Sequence, residues 1–410
     1  MPNDHDPSLP DRIRAQFPAL ARLHRGHPVA YFDGPGGTQV PTAVIAAMGD
    51  YLAHHNANTH WNYPTSAETD ELLAAARQAV ADFLNASPTE VVFGNNMTTI
   101  TYHLARGLGR GWGPGDRLVV TELDHHGNVG PWEAIAKDRG LVLDRVPFRV
   151  KDGTLDLDRV VGAIGSRTRL VAVGWASNAL GTITDVGVAC RAAAERGALS
   201  FVDAVHSAPH LLPDVAAIGC DFLACSPYKF YGPHTGVLFG RESLLRSVDI
   251  PRLDPAPNDP PDRLETGTQN HEGIVGIAAA VDFLAGVAPR ANRRDALVAG
   301  YGLLHQRSQT LFDQLWTGLG GIARVRRFGP GPDHPRTPTI GFTVEGVPSS
   351  EVARRLADRG IFVSHGDFYA ATVVERLGLG AEGLVRAGCA CYTTEGEVGR
   401  LVEEVGRLGS

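Results

Sequence analysis

Residues 199–240 read "LSFVDAVHSAPHLLPDVAAIGCDFLACSPYKFYGPHTGVLFG", and this stretch decides the fold. Three short apolar runs, at 199–204, 221–226 and 236–240, are set apart by longer segments rich in Gly, Asp and Pro. Runs this short, bounded by turn residues, read as strands buried on both faces of a sheet. Three more precede them: "EVVFG" (90–94), "RLVVTE" (117–122) and "RLVAVGWA" (169–176). Helix-length segments lie between the runs, and "DELLAAARQAVADFL" (70–84) has the spacing of an amphipathic helix with an acidic start. The alternation predicts βαβ units and an α/β fold. A set of buried helices fits less well, because Gly, Asn and Asp bound nearly every run.

Downstream the pattern changes. "DIPRLDPAPNDPPDRLETGTQN" (249–270) is dense in proline and turn residues and predicts a long surface excursion. Helical stretches follow within 273–320. After them come "TPTIGFTVEG" (337–346), a helix at "SSEVARRLADRG" (349–360), "LVRAGCACY" (384–392) and a final helix. Thr394 with Glu397 three residues on is a capping box for that last helix. The mixture predicts a smaller α+β domain. The expected division is an N-terminal segment, 1–30, packing with the small domain, a large domain at 31–285, and the small domain at 286–410.

Bulk properties exclude several classes. The 410-residue chain is 43% apolar and 20% charged with a net charge of −7, so it carries no basic footprint for nucleic acid. No uncharged apolar run approaches the roughly 18 residues of a membrane span. The N-terminus, "MPNDHDPSLPDRIRAQF", lacks the basic start and apolar core of a signal peptide. Cys190, Cys220, Cys225, Cys389 and Cys391 form no C-x-x-C pair and no secreted-type framework. A cytoplasmic protein without a metal site is expected.

In parallel sheets ligands bind beyond the carboxyl ends of the strands. There the sequence offers Asn95-Asn96-Met97-Thr98-Thr99, then Asp124-His125-His126, Asn178, Asp203 with His206, and Ser226 leading to Lys229. Each alone has an ordinary explanation: a helix cap, a solvated loop, a turn, a surface charge. Asp203 is the hardest to dismiss, since a carboxylate ending an apolar strand needs a partner. Together the set suits pyridoxal phosphate (PLP). That cofactor needs a lysine for a Schiff base, an acid near its ring nitrogen, and hydroxyls with backbone N–H groups at a helix N-terminus for its phosphate. Lys229, Asp203 and Thr98/Thr99 with Ser226 can supply these, and His125 an aromatic face for the ring.

The motifs "TELDHHGNVGPW", "ASNALGT", "FVDAVHSAPH", "SPYKFYGPHTG", "ETGTQN" and "LVRAGCACYTTEGE" occur in that order. In them the chain resembles the class V aminotransferase superfamily of fold-type I PLP enzymes, in its cysteine desulfurase-like branch, over about residues 30–405. The resemblance implies a large domain with a mostly parallel seven-stranded sheet flanked by helices, plus a small α+β C-terminal domain. It implies Lys229 as covalent anchor and proton shuttle, Asp203 on the ring nitrogen, and His125 stacked on the ring, with a further acid/base role. It places Asn178 and His206 on the ring's phenolic-oxygen side, and Thr98, Ser226 and Tyr228 on the phosphate; Tyr228 stands where many relatives have histidine. Thr268 would reach the neighbouring subunit's phosphate in a homodimer, and Arg386 would hold the α-carboxylate of a small amino-acid substrate.

Two departures matter. Cysteine desulfurases carry a sulfur-accepting loop cysteine some fifteen residues before the carboxylate-binding arginine, whereas "SHGDFYAATVVERLGLGAEGLVR" (364–386) contains none. Cys389 and Cys391 follow Arg386 and read as core residues in an apolar strand. His60 and Trp61 place a bulky pair where relatives have small residues, and are expected to line the substrate pocket or the dimer contact; Phe368 and Tyr369 are further lining candidates. The expected reaction is lyase-type: C–S β-elimination, or β-decarboxylation with possible aldol-type capture. Transamination and epimerisation are the alternatives, and a non-catalytic PLP-fold protein is less favoured.

Overall fold

The computed structural model describes residues 8–408. The first seven residues of the expected N-terminal segment and the last two of the small domain lie outside them. A seven-stranded sheet organises the larger part. Its strands are β1 (Val91–Gly94), β2 (Arg117–Thr121), β3 (Val142–Val146), β4 (Thr168–Gly174), β5 (Leu199–Asp203), β6 (Phe222–Cys225) and β7 (Gly236–Gly240), in the order β1-β7-β6-β5-β4-β2-β3. From β6 to β3 every neighbour is parallel, while β7 runs antiparallel to both β6 and β1. Six strands fall on the six apolar runs. The seventh, "VLDRV", carries Asp144 and Arg145 and lies at the sheet edge, where alternation replaces continuous apolarity.

Successive strand residues point to opposite faces, and both faces are covered. Val119, Val171, Val202 and Leu223 enter one core cluster; Leu118, Leu170, Phe201 and Phe222 enter another. The helices that cover them include α1 (Pro64–Leu84), α2 (Met97–Gly109), α3 (Gly130–Arg139), α4 (Val186–Glu195) and α5 (His271–Gly286). Trp132 on α3 is fully buried and meets the Phe201 ring edge-on at 5.3 Å. The excursion between β7 and α5 is irregular apart from a short helix and a single 3-10 turn, Asp262–Leu264.

A long helix, α6 (Arg293–Gly320), leads into a second sheet. That sheet is β8 (Val325–Phe328), β9 (Thr339–Val344), β10 (Ser364–Gly366) and β11 (Leu384–Gly388), ordered β8-β9-β11-β10 and antiparallel throughout. Its separate core joins Leu315, Phe342, Leu356, Val385 and Leu401, the last from the C-terminal helix α7 (Glu395–Arg407). The capping box at the start of α7 is formed by both Thr394 and Glu397. Near the N-terminus, Phe17 packs against Tyr231, Phe283 and Tyr392, and Arg14 pairs with Glu397 at 3.0 Å. Among the described residues no helix is long and apolar enough to cross a membrane.

Candidate active site

The carboxyl ends of β1, β2, β4, β5 and β6 converge. A cavity of about 370 Å³ there is lined by Thr98, His125, Asn178, Asp203, His206, Ser226, Tyr228 and Lys229. Lys229 follows β6 by one 3-10 turn, Pro227–Lys229, which throws its side chain back over the strand ends. It is only 8% exposed. Its Nζ donates to the Pro35 carbonyl and lies 5.2 Å from the Tyr228 ring centre. Burial, helped by the charge of Arg386, pulls its pKa from the ordinary 10.5 down to about 7. A large fraction of the amine is therefore neutral near pH 7, as a nucleophile or proton carrier must be. Lys229 is also one of just three lysines in the chain, and the other two, Lys137 and Lys151, are exposed.

Asp203 ends β5, between Gly174 of β4 and Ala224 of β6. Its Oδ1 accepts from the Val205 N–H at 2.9 Å, and burial raises its pKa to about 6. A carboxylate so placed calls for a cation. Asp124, which the sequence placed at a strand end without a role, is a second buried acid. It accepts from Thr121 Oγ1 (2.9 Å), Asn128 Nδ2 (3.0 Å) and the Gly174 N–H (2.9 Å), tying the His125 loop to the end of β4. Burial pushes the Asp124 pKa up to about 7. His125 accepts from the Gly127 N–H through Nδ1 at 2.9 Å, which leaves its proton on Nε2. Burial, with Lys229 and Arg386 adding to it, lowers its pKa to about 4, so the ring is a neutral imidazole.

At the start of α2, the Met97 N–H donates to Ser226 Oγ at 3.2 Å, the Thr99 N–H to Asn96 Oδ1 at 2.9 Å, and the Ile100 N–H to the Asn96 carbonyl. The Thr98 N–H and hydroxyl are left at the cavity, a setting suited to an anion. Thr99 does not line it: its hydroxyl donates to Asn96 at 3.0 Å, and it faces a separate groove. That groove also carries the exposed Thr268, which therefore makes no contribution to the cavity of its own chain. His206 reaches the cavity while its Nε2 meets Thr337 Oγ1 (3.0 Å) and Thr339 Oγ1 (3.2 Å), joining the two sheets. Tyr228 is stacked on His234, rings 4.8 Å apart and 8° from parallel. His234, which the sequence analysis did not single out, also lines the cavity.

A second, outer cavity of about 630 Å³ shares Thr98, His125, Asn178, Tyr228 and Lys229 and adds Arg386, Phe368, Tyr369 and Tyr102. Arg386 stands on β11, 4% exposed, opposite Gly341 and Ser364. Nη1 donates to the Asn178 carbonyl at 3.1 Å, Nε to Ser364 Oγ at 3.2 Å, and Nη2 pairs with Asp33 Oδ1 at 3.3 Å. Asp33 belongs to "DGPGG" (33–37), a loop the sequence reading did not single out. A Cβ on Gly36 would meet the Asp33 carboxylate at 2.5 Å, so the Gly-Pro-Gly-Gly run lets Asp33 fold back toward Arg386. Thr38 binds the Tyr228 carbonyl through N–H and hydroxyl (3.0 and 3.1 Å), fixing this loop over the Lys229 turn.

His60 and Trp61 are not in either cavity. His60 pairs with Asp70 at 3.1 Å on the surface, and Trp61 is 62% exposed, so within one chain they do not line the substrate pocket. Cys389 and Cys391 lie just past the end of β11 rather than within it, both buried, with burial raising their pKa values to about 12.

The residues at the inner cavity fit PLP. Asn178 Oδ1 is a buried acceptor with no partner, Asp203 is a buried acid facing the same space, and Lys229 is held within it. Asp203 would pair with the ring nitrogen, Thr98 and Ser226 would flank the phosphate, and Lys229 would bind covalently. The family profile described as Aminotransferase class-V matches residues 30–401. A cysteine desulfurase of Dickeya dadantii (strain 3937) is 33% identical over 423 residues, covering 99% of this chain and 98% of that protein. The apo structure of a cysteine desulfurase from Thermococcus onnurineus NA1 superposes with a TM-score of 0.88 at 29% identity, covering 98% of each chain. The Escherichia coli cysteine desulfurase CsdA, in an S-sulfonic acid form, gives 0.84 at 27% identity over 97% of this chain and 98% of its own. With the lysine, the acid and the helix N-terminus gathered at one set of strand ends, the chain belongs to the class V aminotransferase family and is a PLP-dependent enzyme of fold type I.

Proposed function

We propose that this enzyme performs lyase-type chemistry on an amino acid, breaking a bond at Cβ without passing sulfur to a cysteine of its own. One observation carries the reading: the position facing Arg386 and His125 holds Phe368 and Tyr369 and no thiol, and all five cysteines are buried. C–S β-elimination is the first candidate, since the relatives above are cysteine desulfurases. β-Decarboxylation with capture of an aldehyde is the second.

Bound in the inner cavity, the cofactor supplies an electron sink for a carbanion at Cα. The protein's own residues do the rest. Arg386 takes the α-carboxylate, with Asp33 and the Asn178 carbonyl holding its guanidinium in place. Fixing that carboxylate selects the Cα bond that is labilised. Lys229 removes and returns the proton at Cα, for which its lowered pKa suits it. His125 stays neutral and offers a ring face and an Nε2–H. Asp203 keeps a negative charge beside the ring nitrogen.

Thr268 and Thr99 on the open groove suit a homodimer in which Thr268 serves the neighbouring site, and the cytoplasm is the proposed location. The test is a substrate panel: cysteine, cysteine sulfinate, and aspartate with and without an aldehyde, with products identified by mass spectrometry. Release of pyruvate with sulfide from cysteine, of alanine with sulfite from cysteine sulfinate, of alanine with carbon dioxide from aspartate, or of a new C–C product with the aldehyde, supports the proposal. Stoichiometric amino transfer to a keto acid, with none of these products, would replace it by transamination.

A further inference from the structure

We infer that the outer cavity selects amino acids with an apolar, preferably aromatic, group beyond Cβ, and that the thiol lost in the lyase reaction carries that group. The inference rests on the reading of the outer cavity as the amino-acid site. Its volume, about 630 Å³ including the part shared with the inner cavity, lies within the ~300–1,000 Å³ of pockets that enclose drug-sized ligands and exceeds what cysteine fills. Arg386 would hold the carboxylate at one end, beside Lys229. Around the space left to the side chain stand three aromatic rings, Phe368, Tyr369 and Tyr102, with His126, Gly127 and Gly130 between them.

Phe368 and Tyr369 are held there against backbone preference. Both have φ of 56°, two consecutive bulky residues in the left-handed region. Such conformations persist when neighbours enforce them and gather at functional sites. Here the enforcement is visible. The His126 N–H donates to the Tyr369 carbonyl at 2.7 Å, Asn178 Nδ2 to the Phe368 carbonyl at 2.9 Å, and the Tyr369 N–H to Asp367 Oδ1 at 2.9 Å. The turn is thus anchored to the two strand-end loops that carry His125 and Asn178. One aromatic supports the carboxylate site, with the Arg386 guanidinium 4.1 Å from the Phe368 ring centre. The other stands open: Tyr369 is 75% exposed, tilted 42° to His125 with rings 5.6 Å apart. An exposed ring on a strained, clamped turn beside the reacting atoms is placed to meet a second apolar group.

The reaction then takes an S-substituted cysteine. The Cβ–S bond breaks with its electron pair on sulfur, the thiolate takes a proton to leave as RSH, and the remaining enamine hydrolyses. Overall, RS–CH2–CH(NH3+)–COO− plus water gives pyruvate, ammonium and RSH, with no net oxidation.

The test separates binding from chemistry. Alanine, leucine and phenylalanine, which have no leaving group at Cβ, are titrated into the holoenzyme by calorimetry. Phenylalanine is expected to bind about tenfold more tightly than alanine. Tyr369→Asn, which tolerates the left-handed backbone, and Tyr102→Ala on α2 should each cut that ratio to about twofold. Equal binding of phenylalanine and alanine to the wild type overturns the inference, as does a ratio unchanged in both variants. In parallel, S-benzylcysteine is assayed for thiol release. If the binding ratio holds but no thiol appears, the lyase reading fails and the side-chain selectivity stands.

Discussion

The lowered pKa of Lys229 makes a prediction that the lysine count renders measurable. The amine is buried, its contacts are a carbonyl and an aromatic ring, and Arg386 repels its charge. The fall from 10.5 to about 7 corresponds to about 5 kcal/mol between protonation states, at ~1.4 kcal/mol per pH unit. Because the chain has three lysines, competitive acetylation of the cofactor-free protein with trace reagent, read peptide by peptide, resolves each one. The rate at Lys229 should reach half its plateau near pH 7, well below the ordinary 10.5 of a lysine. The folded-state pKa lies below the unfolded one. Stability from this group is therefore full above about pH 10 and is lost as pH falls through 7. Lys229→Met, which cannot ionise, should gain on the wild type by several kcal/mol more at pH 6 than at pH 10, read from denaturant midpoints. A Lys229 labelling curve still rising toward pH 10 would refute the reasoning.

Other variants probe the remaining parts. Asp203→Asn should lower kcat by about 10²–10³, the scale for removing a preorganised electrostatic partner. With its pKa raised to about 6, Asp203 also destabilises the cofactor-free protein as pH rises from about 4 to 6, and the Asn variant should lose that slope in thermal melts. Arg386→Lys keeps the charge but not the fork, and should raise KM for amino acids about 10- to 100-fold. Gly36→Ala forces the Asp33 carboxylate away and should cost about 1–3 kcal/mol, seen as a lower Tm together with weaker carboxylate binding. Iodoacetamide treatment of the native enzyme should leave turnover unchanged, because all five thiols are buried; rapid inactivation would restore a protein thiol to the mechanism.

Much of this was legible because a parallel sheet buried on both faces writes itself as uninterrupted apolar runs, and polar residues closing those runs must sit at one edge. Thus Lys229, Asp203, Asn178 and Ser226 stand out, although they are scattered over fifty residues. β3 escaped because an edge strand carries charge, its Asp144 pairing with Arg117. The "DGPGG" loop escaped for a different reason. It lies far ahead of the sheet in sequence, and its role appears only when Asp33 meets Arg386 across the two sheets. His60 and Trp61 mark a different limit, since a bulky pair in sequence says nothing about which way it faces. In one chain both face out. The Tyr228–His234 stack spans a turn and needed coordinates to be seen.

The most direct test of the central claim is to reduce the purified holoenzyme with borohydride and map the product by peptide mass spectrometry. The account predicts one phosphopyridoxyl group per chain, on Lys229, with Lys137 and Lys151 unmodified and Lys229→Ala unable to form the adduct. An adduct on either exposed lysine, or none on the coloured wild-type protein, would contradict it.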